Sequence, residues 1–461
     1  MAGPRIPTAA DLGKPEPAER LAGPFKRFAA RSSAGGVVLI ACTVVALVWA
    51  NSSAAEGYRN LFHGEKLTLG FGDIVFAETL GHWINDALMA LFFFVVGLEI
   101  KREVLVGELS SPRRAALPIA GAVGGMIGPA IVYAAINWGQ PTVRGWGIPM
   151  ATDIAFALGI LSLLGAKAPT SLKVFLTSLA IADDLGALIV IAAFYTEQLA
   201  TDALICAGVV TLGMIGLNLL RVRSPWIYFL FGVALWYFVF RSGVHATISG
   251  VIGAMTIPAT ARAAPRRYLA ATREALDSFE AYVDDPGHEI ETSPQQRAAV
   301  WAVQKSGLQV LPVLHRLEDA LHPFTVFLVI PVFALANAGV HLGGPLGDML
   351  AGRVTLGVVL GLFVGKPVGI FLAAWLAVKL GIGELPRGVG WRHIFGAGCL
   401  GGIGFTMALF IANLAFDGSP DELDRAKLGI LGASLLSALL GLAVVASCKP
   451  GGPGDETDAT G

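Results

Sequence analysis

The chain has 461 residues, of which 54% are hydrophobic and only 15% charged, and its mean hydropathy is +0.66. This apolar excess excludes a soluble globular domain, which needs more polar surface, and indicates a protein whose solvent is a membrane. The formal net charge of −1 gives no reason to expect nucleic acid as a partner, because such binding requires a surplus of Lys and Arg on one face.

The two ends of the chain differ in composition from the rest. Residues 1–33 mix Pro, Glu, Lys and Arg without an apolar core, which predicts a cytoplasmic N-terminal lead-in and not a cleaved signal peptide. Residues 449–461 are rich in Gly, Asp and Thr, and we expect a disordered cytoplasmic tail there. The four cysteines are scattered without CxxC spacing, so no disulfide framework or zinc site is predicted.

Apolar stretches of roughly 17 to 25 residues predict an all-α membrane protein with about twelve transmembrane helices. Eight are placed in residues 34–258 and four in residues 322–448. Lys and Arg gather in alternate loops, which indicates an even number of spans with both termini in the cytoplasm. The predicted starts lie near Gly35, Leu80, Ala115, Gly147, Lys173, Asp202, Pro225, Ser242, Pro323, Val354, His393 and Lys427.

Two polar segments interrupt the series of spans. Residues 65–78 alternate apolar and small or polar residues around a Gly-Phe-Gly-Asp turn, which predicts an extracytoplasmic β-hairpin. An exposed edge of this kind could pair two subunits, so we expect a homodimer. Residues 259–321 are too polar to cross the bilayer and are predicted to form a cytoplasmic insertion, with one helix around residues 268–283 and another around 294–321.

Five ionisable residues are predicted to lie within the spans. Asp183 and Asp184 follow the predicted start of the fifth span by about ten residues, which corresponds to a depth of about 15 Å. Lys366 lies equally deep in the tenth span, and Asp86 and Asp153 complete the set. A charge at the centre of a membrane helix costs about 2.5 to 3.5 kcal/mol, so such residues usually have a function.

Adjacent carboxylates cannot both ionise cheaply where water is scarce, so the titrations of Asp183 and Asp184 are expected to be coupled. This pair would bind protons in competition with a small cation such as Na⁺ or Li⁺, which prefers hard oxygen ligands. The alternative is that Asp183, Asp184 and Lys366 only pair with one another to hold helices together.

The predicted fourth and eleventh spans share an interruption by Gly or Pro followed by Thr. The motifs are Gly147-Ile-Pro-Met-Ala-Thr-Asp153 and Gly398-Cys-Leu-Gly-Gly-Ile-Gly-Phe-Thr406. Interrupted spans in corresponding positions of two halves indicate a transport site. Broken helices leave dipole ends in the membrane, and Asp153 and Lys366 have suitable charges to compensate them. The alternative for the eleventh span is that its small residues only permit close helix packing.

Candidate pH-responsive residues lie away from the aspartate pair. Glu99, Arg102 and Glu103 share one face at the end of the second span, where they could respond to protons or simply form a solvated helix end. His245 could change charge near neutral pH, although a lone histidine in a membrane is more often a packing residue. We also assign Glu318 to this group.

Several motifs in the same order make the chain resemble the NhaA family of bacterial Na⁺/H⁺ antiporters, whose members have inverted repeats. Trp83-Ile-Asn-Asp-Ala-Leu-Met89 carries part of this resemblance, which covers essentially all of the membrane part. The chain departs from the family in its longer insertion at residues 259–321 and in Asp319, where family members commonly have His. The other matching segments are residues 97–103, 151–159, 182–187, 242–247, 365–369 and 402–407.

The resemblance implies an electrogenic antiporter of the bacterial inner membrane, which moves protons inward and Na⁺ outward and is activated at alkaline pH. It implies that Asp183 and Asp184 bind the ion and protons. Thr152 and Asp153 would then stand at the crossing of broken helices, and Lys366 would support the site, a role that we also assign to Asp86. It also implies inverted repeats of spans three to five and ten to twelve, a pH-sensing role for the cluster that contains Glu99, and a dimer contact through the hairpin. We also expect no cofactor, with Na⁺ and H⁺ as substrates.

Three other functions fit the sequence less well than antiport does. An intramembrane aspartyl protease would need a second catalytic Tyr-Asp motif, which the sequence lacks, and an ATP-driven pump would need a phosphate loop, which is also absent. A channel fits interrupted helices around buried acids less well than alternating access does. The remaining alternative is another cation/proton secondary transporter that uses the same carboxylate pair.

Overall fold

The computed structural model describes residues 34–71, 74–196, 199–261, 264–281, 293–341 and 346–448. The N-terminal lead-in, the C-terminal tail and the tip of the predicted hairpin lie outside the described residues.

Seven helices in the described ranges are long and apolar enough to cross a membrane, and two bent helix pairs raise this number to nine. Together with three shorter helices, these nine segments occur in the same order as the twelve predicted spans, and each is numbered by its place in that order. The long helices are span 2 (Leu80–Val106), span 3 (Pro112–Ile136), span 5 (Thr170–Phe194), span 6 (Thr201–Leu219), span 9 (Val313–Asn337), span 10 (Arg353–Lys379) and span 12 (Pro420–Ala446).

The bent pairs are span 4 and span 11, which the sequence predicted to be interrupted. Span 4 consists of a 3₁₀ helix, Pro141–Met150, and an α-helix, Ile154–Leu163, which meet at 43°. Span 11 consists of Trp391–Gly401 and Phe405–Ala415, which meet at 45°. The prediction of two interrupted spans is therefore confirmed.

The remaining helices are shorter. Span 1 (Ala34–Ala50) and span 7 (Pro225–Arg241) are apolar helices of 17 residues each, and the place of span 8 is taken by a helix of nine residues, Ile248–Thr256. The helices outside the spans are Ala55–Arg59 with the π-helical turn Asn60–Gly64, Glu108–Ser110, Gly165–Lys167, Pro265–Glu280, Pro294–Val310 and Leu346–Ala351.

The predicted hairpin is present. Strand β1 (Lys66–Phe71) pairs in antiparallel register with strand β2 (Ile74–Thr79), so that Lys66 lies opposite Thr79 and Phe71 opposite Ile74. It precedes span 2 directly, and we call this end of the molecule the hairpin side.

Four predicted helix starts were wrong by six residues or more. Span 4 begins at Pro141 and not near Gly147, and span 12 begins at Pro420 and not near Lys427. Span 9 begins at Val313 and not near Pro323, because Leu311 is extended before Pro312 and ends the preceding helix at Val310. Pro323 lies inside span 9, just before the π-helical turn Thr325–Val329. Span 8 begins at Ile248 and not at Ser242, because the intervening residues form a turn in which Gly243 has φ of +80°.

Spans 3 to 5 and spans 10 to 12 form two corresponding groups, each with a long helix, a bent helix pair and another long helix. Spans 3 and 10 are the first members of these groups and pack against each other through glycines. A methyl group built at Gly128 would lie 2.5 Å from the carbonyl oxygen of Gly365, and one built at Gly369 would collide with the carbonyl of Gly124. The two backbones therefore touch, as is common in membrane helix pairs.

Replacing Gly369 by Val should separate spans 3 and 10. Because overpacking a close contact costs about 1 to 3 kcal/mol, we expect a lower free energy of unfolding and a lower thermal midpoint in detergent. The matched control is Gly208→Val in span 6, where a Cβ has no neighbour within 4 Å. Equal midpoints for the two variants would contradict the close packing.

Candidate functional site

Asp183 and Asp184 lie in the middle of span 5 and are buried, with 0% and 1% of their surfaces exposed. Asp183 Oδ2 is 2.7 Å from Lys366 Nζ and accepts a hydrogen bond of 2.8 Å from Thr152 Oγ1. Lys366 also donates to the carbonyl of Met150. The structure thus brings residues of spans 4, 5 and 10 together around one carboxylate.

One oxygen of each carboxylate lacks a hydrogen-bond partner among the described residues. Asp183 Oδ1 and Asp184 Oδ1 are both buried and have no hydrogen-bond partner among the described residues. An unpaired buried carboxylate oxygen is costly, so such a group needs a proton, a cation or water. Hard oxygen ligands of this kind fit Na⁺ as a transported ion.

Asp153 lies where the amino-terminal ends of two half-helices meet. Its Oδ1 accepts a hydrogen bond of 3.0 Å from the backbone of Phe156, in the first turn of Ile154–Leu163. Its Oδ2 accepts hydrogen bonds from Thr406 at the start of Phe405–Ala415, at 2.6 Å from the hydroxyl and 3.2 Å from the backbone. One negative charge therefore compensates the positive ends of two helix dipoles.

The carboxyl-terminal ends of the other two half-helices face Lys366 and the hydroxyl of Thr152. The one hydrogen of that hydroxyl can be donated to only one of Gly401 and Asp183 at a time. The carbonyl of Met150, the last residue of its helix, accepts from Lys366, and the carbonyl of Gly401 lies 2.9 Å from Thr152 Oγ1. A backbone bond of 2.7 Å from Asp153 to the carbonyl of Ile403 joins the two breaks. The crossing thus supplies donors and charge for dipole ends that would otherwise be unsatisfied inside the membrane.

Sequence reasoning found the charged side chains of this site but missed several groups. The carbonyls of Met150 and Gly401 carry no side-chain signal. Thr406 is the threonine of the quoted motif, in which an interruption is followed by Thr, but the motif gave no indication that its hydroxyl would contact Asp153. The π-helical turn Gly361–Gly365, which ends directly before Lys366, also had no recognisable pattern. Such turns are frequent at functional sites.

A second cluster lies between spans 2 and 9. Arg102 contacts Glu318 at 3.0 Å and Glu103 at 3.2 Å, and Glu99 lies 3.5 Å from His322 Nδ1. Four predicted pH-responsive residues are therefore brought together. His322, which sequence reasoning missed, extends the cluster. Its position four residues after Glu318 on the helix was the available signal.

Two predicted site residues lie apart from both clusters. His245 Nε2 is 2.7 Å from the carbonyl of Tyr195, and Asp86 lies 3.9 Å from His82 Nε2 in the first turns of span 2. Both line a cavity of about 1050 Å³ at the hairpin side, whose wall includes neither Asp183 nor Asp184. We call this space the hairpin-side cavity.

Tyr58 also lines the hairpin-side cavity and contacts the backbone at the end of span 9. Burial raises the pKa of this tyrosine to about 12, so its phenol stays protonated. Its hydroxyl is 2.9 Å from each of the carbonyls of Leu335 and Ala336. The segment before the hairpin is therefore tied to the last turn of span 9.

The fold and site define a polytopic membrane transporter whose buried ionisable residues meet at the crossing of two broken helices. A profile of the family described as Na⁺/H⁺ antiporter 1 matches residues 26–445, and the chain belongs to this family.

Three similar proteins support this assignment. The Na⁺/H⁺ antiporter NhaA of Oleidesulfovibrio alaskensis is 50% identical over 438 residues, which cover 95% of each chain. That of Acidithiobacillus ferrooxidans is 48% identical, over 91% of this chain and 96% of its own. That of Koribacter versatilis is 46% identical, over 93% of this chain and 92% of its own.

Replacing Lys366 by Met should destabilise the protein in a pH-dependent way. Removing one partner of a buried ion pair costs about 3 to 5 kcal/mol while the other stays charged. In the variant the Asp183 carboxyl can relieve this cost by taking up a proton, so the folded state binds more protons than the unfolded chain and its stability falls as pH rises. The deficit in thermal midpoint relative to wild type should therefore be larger at about pH 8.5 than at about pH 5.5.

The control is Lys379→Met, in the last turn of span 10, where the ammonium lies 4.6 Å from the centre of the Trp375 ring. This variant should lack the pH-dependent deficit. A deficit at Lys366 that does not change with pH would contradict the ion-pair assignment.

Proposed function

We propose that this chain is a Na⁺/H⁺ antiporter that binds Na⁺ and protons in competition at Asp183 and Asp184. The observation that carries the proposal is the pair of buried carboxylate oxygens without partners, Asp183 Oδ1 and Asp184 Oδ1, beside the crossing of two broken helices. Family membership and the three antiporter relatives support sodium as the exchanged cation.

The charges at the site explain why protons and Na⁺ exclude each other. With both carboxylates ionised and Lys366 protonated, the three side chains carry a net charge of −1, which one Na⁺ neutralises. With both carboxyls protonated, the same three side chains carry +1, and a cation is repelled. The two loaded states differ by one charge, so an exchange of two protons for one Na⁺ would be electrogenic.

Asp153, Thr152 and Asp86 have supporting roles in this proposal. Asp153 holds the amino-terminal ends of two half-helices together, and Thr152 links Asp183 to the carbonyl of Gly401. Asp86 lies in the hairpin-side cavity, where its carboxylate would attract cations on the path to or from the pair.

The direction of exchange depends on the ion gradients, and the predicted orientation names the two sides of the membrane. We propose a bacterial inner-membrane protein with both termini in the cytoplasm and the hairpin outside, because Lys and Arg gather in the loops on the side of the termini. Protons would then enter from the hairpin side and Na⁺ would leave the cytoplasm, which serves sodium and pH homeostasis.

Replacing Asp184 by Asn should abolish exchange, because the amide can neither release a proton nor balance the charge of Na⁺. The measurement is Na⁺-induced dequenching of a pH dye in everted membrane vesicles between about pH 6 and pH 9. Wild type should collapse the proton gradient when Na⁺ is added, and the variant should not. Li⁺ and K⁺ additions to the same vesicles test whether other cations are exchanged.

The matched control is Asp202→Asn, at the exposed start of span 6, which should dequench like wild type. Unchanged dequenching in Asp184→Asn would show that the carboxylates only hold helices together. No response of wild type to any alkali cation would overturn the proposed function.

We further propose that the cluster of Glu99, Arg102, Glu103, Glu318 and His322 sets the pH response. At low pH, protonated His322 is attracted to Glu99, and this pair joins spans 2 and 9 at the end opposite the hairpin. At higher pH the histidine loses its charge and this contact weakens. The antiporter would then become active as the contact is released, with His245 as a separate titrating group at the hairpin side.

Replacing Glu99 by Gln should move the midpoint of the activity–pH curve toward acidic pH, because the amide cannot attract an imidazolium. The same dequenching assay measures the midpoint, and Glu384→Gln, at an exposed position between spans 10 and 11, serves as the control. A midpoint that stays in place for Glu99→Gln would assign Glu99 to a solvated helix end.

A homodimer is also proposed, in which the outer edges of β1 and β2 pair with a second copy. A two-stranded sheet leaves unpaired backbone groups along both edges, which another strand can satisfy.

A further inference from the structure

Three asparagines from three different spans form one hydrogen-bonded group, which we call the amide layer. It consists of Asn85 in span 2, Asn337 at the end of span 9 and Asn413 in the second half of span 11. Asn337 is completely buried, whereas Asn85 and Asn413 also line the hairpin-side cavity. The amide layer therefore forms part of the cavity floor.

The amide layer links its three spans through side chains alone. Asn337 Nδ2 donates to Asn85 Oδ1 at 2.8 Å, and Asn413 Nδ2 donates to Asn337 Oδ1, also at 2.8 Å. A longer contact of 3.4 Å runs from Asn85 Nδ2 to Asn337 Oδ1. Asn337 and Asn413 each make a further bond of 3.0 Å to a backbone carbonyl four residues earlier.

A layer of phenylalanines lies beneath the amide layer and comes from the same three spans. Phe93, Phe333 and Phe410 are at most 1% exposed. The ring of Phe410 is centred 5.7 Å from that of Phe93 and 6.3 Å from that of Phe333. These rings are not part of the cavity wall, and Phe410 lies between Asn413 and Thr406 on span 11.

The second half of span 11 connects both layers to the ion site. Thr406, Phe410 and Asn413 are spaced by four and three residues and therefore share one helix face. At a rise of about 1.5 Å per residue, Phe410 lies about 6 Å and Asn413 about 10 Å beyond Thr406, which binds Asp153. One short helix thus contacts the site at its start and the cavity floor near its end.

We propose that Asn85, Asn337 and Asn413 are positioning residues for exchange, because they hold the second half of span 11 against spans 2 and 9 and so close the site toward the hairpin side. Their amide bonds open when the site faces that side. This inference rests on the proposed exchange by alternating access.

The amide side chains of the amide layer are suited to a contact that forms and breaks in every exchange cycle. Apolar side chains of similar size would seal the floor as well, but their separation would expose apolar surface to water. Amides at the cavity floor can exchange their mutual hydrogen bonds for bonds to cavity water, and these alternatives differ little in free energy. Three amides therefore permit both a closed and an open arrangement.

The test compares the apparent KM for Na⁺ from the two sides, in everted and right-side-out vesicles. A binding-competent state that is only partly populated raises the apparent KM by the reciprocal of its population. In Asn413→Ala, the closed arrangement loses about one neutral hydrogen bond. The ratio of the hairpin-side KM to the opposite-side KM should therefore fall about threefold to tenfold relative to wild type.

Two further variants complete the design. Asn85→Ala removes the other 2.8 Å bond and should lower the same ratio, which keeps the test valid if Asn413→Ala is poorly folded. Asn218→Ala is the matched control, because this span 6 amide makes a 2.8 Å bond to the carbonyl of Thr256 away from the amide layer. It should leave the ratio unchanged.

The outcomes separate this inference from the function on which it rests. Equal changes of KM on both sides, or a loss of maximal rate with a constant ratio, would overturn the positioning role while antiport stands. The same shift of the ratio in Asn218→Ala would also overturn it. Wild-type vesicles that show no Na⁺-dependent proton movement from either side would overturn the proposed function itself.

Discussion

The constraint on which this structure depends is the presence of four helix ends inside the membrane. Spans 4 and 11 stop at Met150 and Gly401 and resume at Ile154 and Phe405, so backbone donors and acceptors face a region with little water. Asp153 accepts hydrogen bonds at the two amino-terminal ends, and Lys366 donates to the carboxyl-terminal end at Met150. The groups that permit the breaks also surround Asp183, so the architecture and the candidate ion site share one set of interactions.

The sequence predicted the parts of the fold that depend on composition and spacing. Apolar length located the spans, alternation located the hairpin, and Gly and Pro located both broken helices. Boundaries were less predictable where a single backbone feature decides them. Pro312 separates the insertion from span 9, and the turn around Gly243 shortens span 8 to nine residues. At span 9 the first turns of the helix carry many polar residues, so its start was placed ten residues too late, whereas at span 8 an apolar pattern continues across the turn.

The candidate site was predictable as a set of charged residues but not as a geometry. Asp183, Asp184, Asp153 and Lys366 were identified because an ion in a membrane span is costly. Their partners were not, since the carbonyl of Met150 and the hydroxyl of Thr406 belong to residues that are common in spans. The asparagines of the amide layer are also uncharged, and only the packing of spans 2, 9 and 11 shows that they meet.

The glycine contact between spans 3 and 10 limits how the protein can move. The backbones of these two helices touch at Gly128 and Gly365. The helices therefore cannot slide along each other without collisions between neighbouring residues. Lys366 follows Gly365 directly, so the backbone of the lysine is held against span 3. In the proposed exchange, spans 3 and 10 would then move as one rigid body. The surface that slides would lie elsewhere, for example against the helices that carry Asn85 and Asn337.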